Sequence, residues 1–170
     1  MTKLISLLIL LTSMISAEID FKLSANIHPS LITTSEEGLL INSSKIKYSI
    51  LDQTFQSLVL EIEDAMMSTI EVPEPGEAGG YSHEKHKQNY RDMRKAGELF
   101  VITNDEKYAK FVKEMLQAYS KIYPKLGLHP MAKHQKPGKL FHQMLNEAVW
   151  LTNVSIAYDC IYSWLDEKSR

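Results

Sequence analysis

The sequence predicts an all-α protein built from antiparallel helical hairpins. Several segments repeat apolar residues at spacings of three and four, which places those residues on one face of a helix. No segment sustains the alternation of a half-buried strand, and no Asn-Gly or Asp-Gly pair is present to close a β-hairpin. The 170 residues are 44% hydrophobic and 24% charged, a composition that excludes the disordered and collagen-like classes.

The first residues indicate a secretory signal peptide. Lys3 supplies a positive charge, Leu4 to Met14 form an apolar stretch, and Ile15-Ser16-Ala17 ends in the small residue that a cleavage site requires. A buried N-terminal helix is the alternative, and the stretch is shorter than the ~20 residues of a membrane span. We therefore expect residues 1–17 to be removed on export, and the mature chain to be periplasmic or secreted, without a membrane span.

The rest of the chain divides into a leading segment, residues 18–47, and a helical domain, residues 48–170. The leading segment is irregular, although Ser35-Glu36-Glu37 indicates the start of a short helix. The first long helix is predicted from Ile50 to Met67. The prolines and glycines between Glu71 and Gly80 predict a loop after it.

A second helix is predicted from Ser82 to Ile102, and a third up to Tyr123. Thr103-Asn104-Asp105-Glu106 between them predicts a capping box, in which the threonine hydroxyl bonds the third backbone amide and Glu106 reaches back. Pro124 is expected to end the third helix, because the residue before a proline is disfavoured in the helical region. The residues predicted to face inward are Tyr90, Met93, Gly97, Phe100, Val101, Tyr108, Phe111, Val112, Met115, Tyr119 and Ile122.

The last part of the chain combines a long loop with the most apolar helix. The loop, Pro124 to Lys139, contains three prolines and two glycines, and loops of this length in compact domains are usually functional. The helix, predicted from Leu140 to Trp164, is apolar around most of its circumference, so we expect other helices to surround it. This chain has too few helices for that. The sequence therefore predicts a fragment of a larger helical domain.

The basic stretch, Met115 to Asn146, is the first candidate binding region. It contains no Asp or Glu, whereas acids outnumber bases in the rest of the chain. Its cationic and imidazole side chains are Lys121, Lys125, Lys133, Lys136, Lys139, His129, His134 and His142. Such a concentration of cations attracts carboxylates, although a solvated loop without a ligand is equally consistent with the sequence. The net charge of −2 argues against nucleic acid as the partner.

A polar face on the last helix is the second candidate. Gln143, Asn146, Glu147 and Trp150 follow one another at helical spacing and so share one side of the helix. Polar groups on a helix built for burial need partners, which are either a sugar ligand or the neighbouring backbone. Trp150 could stack on a sugar ring, but a place in the core is the more ordinary role.

Metal and cofactor chemistry find little support in the sequence. His83 and His86 lie three residues apart, but they lack the HExxH spacing and a third ligand, so we expect histidines that form hydrogen bonds. The sole cysteine, Cys160, excludes an internal disulfide and a cysteine-rich zinc site. No phosphate-binding loop, dinucleotide motif or nucleophile elbow is present. The sequence therefore predicts no metal and no cofactor.

Three blocks of sequence together resemble one family. They are GGYSHEKHKQNY at Gly79–Tyr90, YSKIYP at Tyr119–Pro124, and PGKLFHQMLNEAVW at Pro137–Trp150, of which the last is the most specific. These blocks are similar to the N-terminal helical domain of oligoalginate lyases, polysaccharide lyase family 17. The likeness extends from about Ile27 to Leu165, nearly the whole of the mature chain.

The resemblance implies the N-terminal portion of an incomplete (α/α) toroid. It also implies an exolytic lyase that releases unsaturated monouronate from alginate oligosaccharides by β-elimination. In that reaction the C5 carboxylate is neutralised, a base removes the C5 proton and an acid protonates the O4 leaving group. A tyrosine and an asparagine–histidine pair are expected to do this in the family. No Asn-His pair occurs here, so we expect the catalytic residues beyond Arg170 and an inactive isolated chain.

The resemblance carries Gln143 over as a substrate contact, with Asn146 and Glu147 in support. Lys139 and His142 join them as substrate-binding residues, and the implied partner is an alginate oligosaccharide or another anionic polyuronate. Two alternatives remain open. One is a heparinase-like lyase with the same toroid that acts on glycosaminoglycans. The other is a non-catalytic helical module that binds anionic glycan or mediates protein contacts.

Overall fold

A computed structural model describes residues 27–133 and 136–170. These residues form five α-helices and no β-strand, so the all-α prediction is confirmed. The predicted signal peptide lies outside the described residues. The helices are α1 (Ser35–Ser44), α2 (Ser49–Met67), α3 (Tyr81–Thr103), α4 (Glu106–Ile122) and α5 (Met144–Ile161), with 3-10 turns at Tyr123–Lys125 and Tyr162–Trp164. None of these helices is both long and apolar enough to cross a membrane.

Helix α3 is the centre of the fold, because it packs against each of the other four helices. The sequence places apolar residues on more than one side of it. Met93, Ala96 and Leu99 have no exposed surface, and Tyr90 has almost none. Helix α4 packs beside α3 through a very short turn and buries five of its six predicted inward residues, while Ile122 is half-buried.

Small residues allow the other helices to approach α3 closely. A Cβ atom at Gly97 of α3 would lie 3.0 Å from the Cβ of Cys160 and 3.3 Å from the Cα of Ala157, both on α5. A Cβ atom at Gly38 of α1 would lie 2.5 Å from the carbonyl oxygen of Val101. A side chain at either position would therefore force two helices apart.

Asp159 of α5 holds the segment that precedes α1. Its carboxylate accepts hydrogen bonds from His28 Nδ1 at 2.5 Å and from the backbone N–H groups of Ser30 at 2.8 Å and Leu31 at 2.9 Å. The His28 ring also packs against Tyr162, with ring centroids 4.1 Å apart. Burial acts to raise the pKa of Asp159, but the hydrogen bonds from these three residues outweigh it and lower the pKa.

The turn between α3 and α4 differs from the predicted capping box. Thr103 is the last residue of α3, and its hydroxyl donates to the Leu99 carbonyl oxygen at 2.7 Å. Asn104 adopts a left-handed conformation with φ 57° and ends the helix. Asp105 caps α4 instead, accepting from the Lys107 N–H at 3.1 Å. The predicted box is therefore wrong, because Thr103 still belongs to α3 and Asp105 is the N-cap residue of α4. The Thr103 hydroxyl accepts from the Asp105 N–H, at 3.1 Å, and not from the third amide.

A capping box does occur at the start of α1, one residue before the predicted position. Thr34 accepts from the Glu37 N–H at 3.2 Å, and the Glu37 carboxylate accepts from the Thr34 N–H at 2.8 Å. The short helix predicted in the leading segment is thus confirmed.

The last helix begins later than predicted. Residues 140–143 are irregular, because the N–H groups of Leu140 and Phe141 donate to the Glu147 side chain instead of entering a helix. At the other end, the α-helix stops at Ile161 and a 3-10 turn reaches Trp164. Large apolar side chains of α5 remain exposed, namely Met144, Leu145, Val149 and Leu151. The described helices therefore do not surround α5, as expected for a chain with so few helices.

Candidate anionic-ligand surface

The lysines of the basic stretch are mostly exposed and have no acidic partners among the described residues. Within the described residues, none of these five lysines forms an ion pair. By contrast, five of the nine described lysines elsewhere in the chain pair with carboxylates, namely Lys87, Lys95, Lys107, Lys110 and Lys113. Lys139 is half-buried and the other four lysines of the stretch are exposed. Their positive charge is therefore available to an anionic ligand.

The histidines of the basic stretch behave differently from its lysines. His129 is only 5% exposed, and its Nδ1 accepts a hydrogen bond from the Met131 N–H at 3.2 Å. Burial lowers the pKa of His129, and the His142 ring, with its centroid 5.6 Å away, lowers it further. His129 is thus neutral at neutral pH and adds no positive charge. His142 has a buried Nδ1 without a hydrogen-bond partner among the described residues, and His134 lies outside them.

Gln143 and Asn146 place two amide groups together at the start of α5. Gln143 is the N-cap residue and is exposed, and its side chain makes no capping hydrogen bond. Asn146 Nδ2 donates to Gln143 Oε1 at 3.4 Å. Both side chains keep donors and acceptors free, and they adjoin Lys139 and His142 along the chain. These groups can bind hydroxyls and carboxylates.

Glu147 lies on the same side of the helix, but its carboxylate turns back into the protein. Oε1 accepts from the Tyr123 hydroxyl at 2.7 Å, and Oε2 accepts from the N–H groups of Leu140 at 3.1 Å and Phe141 at 2.9 Å. Trp150, one turn further on, is 6% exposed and stacks on Tyr123 with ring centroids 5.2 Å apart. The structure thus leaves Gln143 and Asn146 at the surface, with Glu147 and Trp150 beneath them.

A buried polar network below this surface was missed by the sequence analysis. His86 has no exposed surface, and its Nδ1 lies 3.0 Å from the Tyr119 hydroxyl. The oxygen of that hydroxyl accepts a hydrogen bond from Asn89 Nδ2 at 3.1 Å. Burial, followed by the charge of His83, lowers the pKa of His86 to about 4. Burial also raises the pKa of Tyr119 to about 12. Extending the inward spacing of α3 back from Tyr90 and Met93 would have found His86 and Asn89.

The two histidines at the start of α3 pack against an aromatic ring. His83 meets Phe141 edge-on with ring centroids 5.1 Å apart, and His86 meets the same ring at 5.8 Å. In the part of the chain that the structure describes, no three His, Cys, Asp or Glu side chains are grouped to hold a metal ion. Lysines and amides of this kind can bind anions, and two of the packed aromatic rings, those of Phe141 and Trp150, lie close to the amides in sequence.

These features describe a helical domain in which a stretch rich in lysines without ion-pair partners leads to two side-chain amides at the start of α5. Two curated proteins are similar to it in sequence. The chain is 41% identical to the exo-oligoalginate lyase of Saccharophagus degradans over 158 residues, which are 92% of this chain and 22% of that protein. It is 40% identical to an alginate lyase of Stenotrophomonas maltophilia over 110 residues, which are 64% of this chain and 15% of that protein.

No protein-family model matches the chain. The resemblance to oligoalginate lyases is nevertheless confirmed, because the identity is high and one match includes nearly the whole chain. Over the matched segments, this chain is a homologue of alginate lyases. It spans about a fifth or less of the length of these relatives.

Proposed function

We propose that this chain forms part of an exported lyase that cleaves alginate oligosaccharides by β-elimination, and that the basic stretch forms one wall of the substrate cleft. The observation that carries the proposal is the match to an exo-oligoalginate lyase over 92% of the chain. The geometry supports it, because the side-chain amides of Gln143 and Asn146 meet at the start of α5, four residues after Lys139, which forms no ion pair among the described residues. The helices would then be the first hairpins of an (α/α) toroid.

The chemistry of a polyuronate suits this surface. Each uronate residue carries a carboxylate, which the lysines of the basic stretch attract over about a Debye length. The amide groups of Gln143 and Asn146 can bind that carboxylate or the sugar hydroxyls, with Lys139 and His142 beside them. Binding the C5 carboxylate through such donors lowers the cost of removing the C5 proton. We place the base and the acid of the reaction outside this chain.

The names of the two relatives favour alginate over glycosaminoglycan as the polymer. Export through residues 1–17 would bring the protein to the compartment that such a polymer reaches.

The test is binding of an alginate oligosaccharide to the 170-residue chain, measured by isothermal titration calorimetry for the native sequence and for Gln143→Ala. We expect Gln143→Ala to weaken the Kd about tenfold or more, the effect of losing one hydrogen bond to a charged group. Gln53→Ala, which changes an exposed glutamine on α2, is the matched control and should leave the Kd unchanged.

Two further results bear on the proposal. The chain alone should produce no rise in the ultraviolet absorbance of the new C4–C5 double bond, because the base and the acid are placed elsewhere. Absence of oligosaccharide binding by the native chain would overturn the proposed cleft wall, and an unchanged Kd for Gln143→Ala would remove Gln143 from it.

A further inference from the structure

Glu147 is the first acidic residue after the acid-free stretch Met115 to Asn146, and its carboxylate makes three hydrogen bonds within the protein. Both carboxylate oxygens are occupied, one by Tyr123 and the other by the N–H groups of Leu140 and Phe141. A carboxylate in contact with a polyuronate would also repel the ligand's own carboxylates. The geometry and the sign of the charge therefore both disfavour a direct contact between Glu147 and the substrate.

The two amides that Glu147 binds belong to the residues directly before His142 and Gln143. Leu140 is 2% exposed and Phe141 is fully buried, so both side chains are packed in the core while their N–H groups point to Glu147. This combination holds the backbone out of the helix until Gln143, which becomes the N-cap of α5. The Glu147 carboxylate thus binds the backbone that leads to Gln143.

Tyr123 fixes the carboxylate from the other side. Its ring stacks on the buried Trp150 with an interplanar angle of 8°, and its hydroxyl donates to Glu147 Oε1. Burial raises the pKa of Tyr123 and the bond to Glu147 raises it further, so the hydroxyl keeps the proton that it donates. A series of contacts thus connects Trp150, through Tyr123 and Glu147, to the backbone that leads to Gln143.

We propose that Glu147 is a positioning residue for ligand binding, which sets His142 and Gln143 in place through the Leu140 and Phe141 amides. This rests on the proposed function, in which Gln143 contacts the uronate. Glu147 then contributes to affinity through the preorganisation of a neighbouring side chain.

The decisive variant is Glu147→Gln in the 170-residue chain. A glutamine that keeps its oxygen toward the two amides turns its NH2 group toward Tyr123, whose hydroxyl must then accept instead of donate. It also loses the negative charge that strengthens the hydrogen bonds from Leu140 and Phe141. We expect the hydrogen-exchange protection of the Leu140 and Phe141 amides to fall about tenfold, and the Kd for an alginate oligosaccharide to weaken by a similar factor. Removal of a like charge alone would strengthen binding, so the two explanations predict opposite signs.

Two measurements separate positioning from mere folding. The Gln143 side-chain amide signals in NMR spectra should shift in Glu147→Gln before ligand is added, and should respond less to the ligand. Glu114→Gln removes the same charge from an exposed site on α4 and should change neither the protection nor the Kd. If Glu147→Gln does not fold, Tyr123→Phe provides the test. It should lower the hydrogen-exchange protection of the Leu140 and Phe141 amides and the affinity for the oligosaccharide about two- to threefold, and unchanged values would overturn the proposal.

The outcomes also separate this proposal from the function on which it rests. Loss of protection at Leu140 and Phe141 with an unchanged Kd overturns positioning while leaving the cleft wall intact. Weaker binding with full protection of both amides makes Glu147 a direct contact, which also overturns positioning. A native chain that binds no oligosaccharide refutes the proposed function itself, before any variant is compared.

Discussion

The buried imidazole of His86 makes the stability of this fold depend on pH. The ring has no exposed surface and lies against Tyr119 and Phe141, and its pKa is lowered from the ordinary 6.5 to about 4. Because Tyr119 accepts from Asn89, its own hydroxyl proton is free to point at His86 Nδ1. The native state therefore holds this histidine neutral, whereas the unfolded chain protonates it below about pH 6.5.

The sign and size of the effect follow from this difference. As the pH falls from about 6.5 to 4, the unfolded state takes up a proton that the folded state does not, so the free energy of unfolding decreases. Each pH unit within that window is worth about 1.4 kcal/mol, and the loss between about pH 7.5 and 4.5 comes to about 2.5 kcal/mol. Above about pH 6.5 the contribution is fully present and constant.

The assay is urea denaturation of the native chain and of His86→Gln across this pH range. Asp92 and His129, whose pKa values are also shifted by burial, titrate in both proteins, so the difference between the two unfolding free energies isolates His86. We expect the difference, native minus variant, to fall by about 2.5 kcal/mol on acidification. A difference that stays constant, or that grows at low pH, would refute a neutral buried His86.

Two other changes test the packing. Asp159→Asn should lower the free energy of unfolding by about 2 kcal/mol at neutral pH, because the amide cannot accept from His28 and both backbone N–H groups. Since the pKa of Asp159 is lowered, the difference between the native chain and this variant should shrink as the pH falls through that pKa. A difference that stays constant in urea denaturation would contradict the network. Gly97→Ala should lower the free energy of unfolding by about 1–3 kcal/mol, because the added Cβ would meet Cys160. Gly127→Ala is the control and should leave it unchanged, because no atom lies within 4 Å of the added Cβ. Equal effects of the two variants in thermal denaturation would argue against close packing of α3 on α5.

Helix positions could be predicted from the sequence because the apolar spacing on these helices is regular. Helix α2 begins one residue before the predicted start, and α3 extends one residue beyond the prediction at each end. The stripe on α4 is almost entirely buried, as its regular amphipathic spacing predicts. Local spacing determines these features, so no knowledge of distant residues is needed.

The start of α5 could not be predicted in this way. Its sequence is as apolar before Met144 as after it, and only the direction of the Glu147 side chain shows that Leu140 and Phe141 are bound outside a helix. The sequence does indicate that a carboxylate on this helix needs either backbone or ligand partners. Choosing between the two required the fold.

The charge of the basic stretch could be predicted only in part. Its lack of acids is visible in the sequence, but a lysine can be neutralised by a residue far along the chain, as Lys113 is by Asp166. Lys121, two turns of α4 later, has no acidic partner among the described residues. The neutral state of His129 likewise depends on burial, which its sequence neighbours do not show. Which positive charges remain available is therefore a property of the fold.

The uneven pairing of lysines gives the molecule an asymmetric distribution of charge. The whole chain carries a net charge of −2, although its basic stretch holds five lysines and no acidic residue, and five lysines elsewhere form ion pairs. A polyanion is therefore attracted to the basic stretch and repelled by the excess of acidic residues in the rest of the chain. A diffusing uronate chain would be turned before it makes contact, and fewer of its collisions would occur in the wrong orientation. Added salt would weaken the repulsion and the attraction together, so ionic strength would change the geometry of encounter as well as its rate.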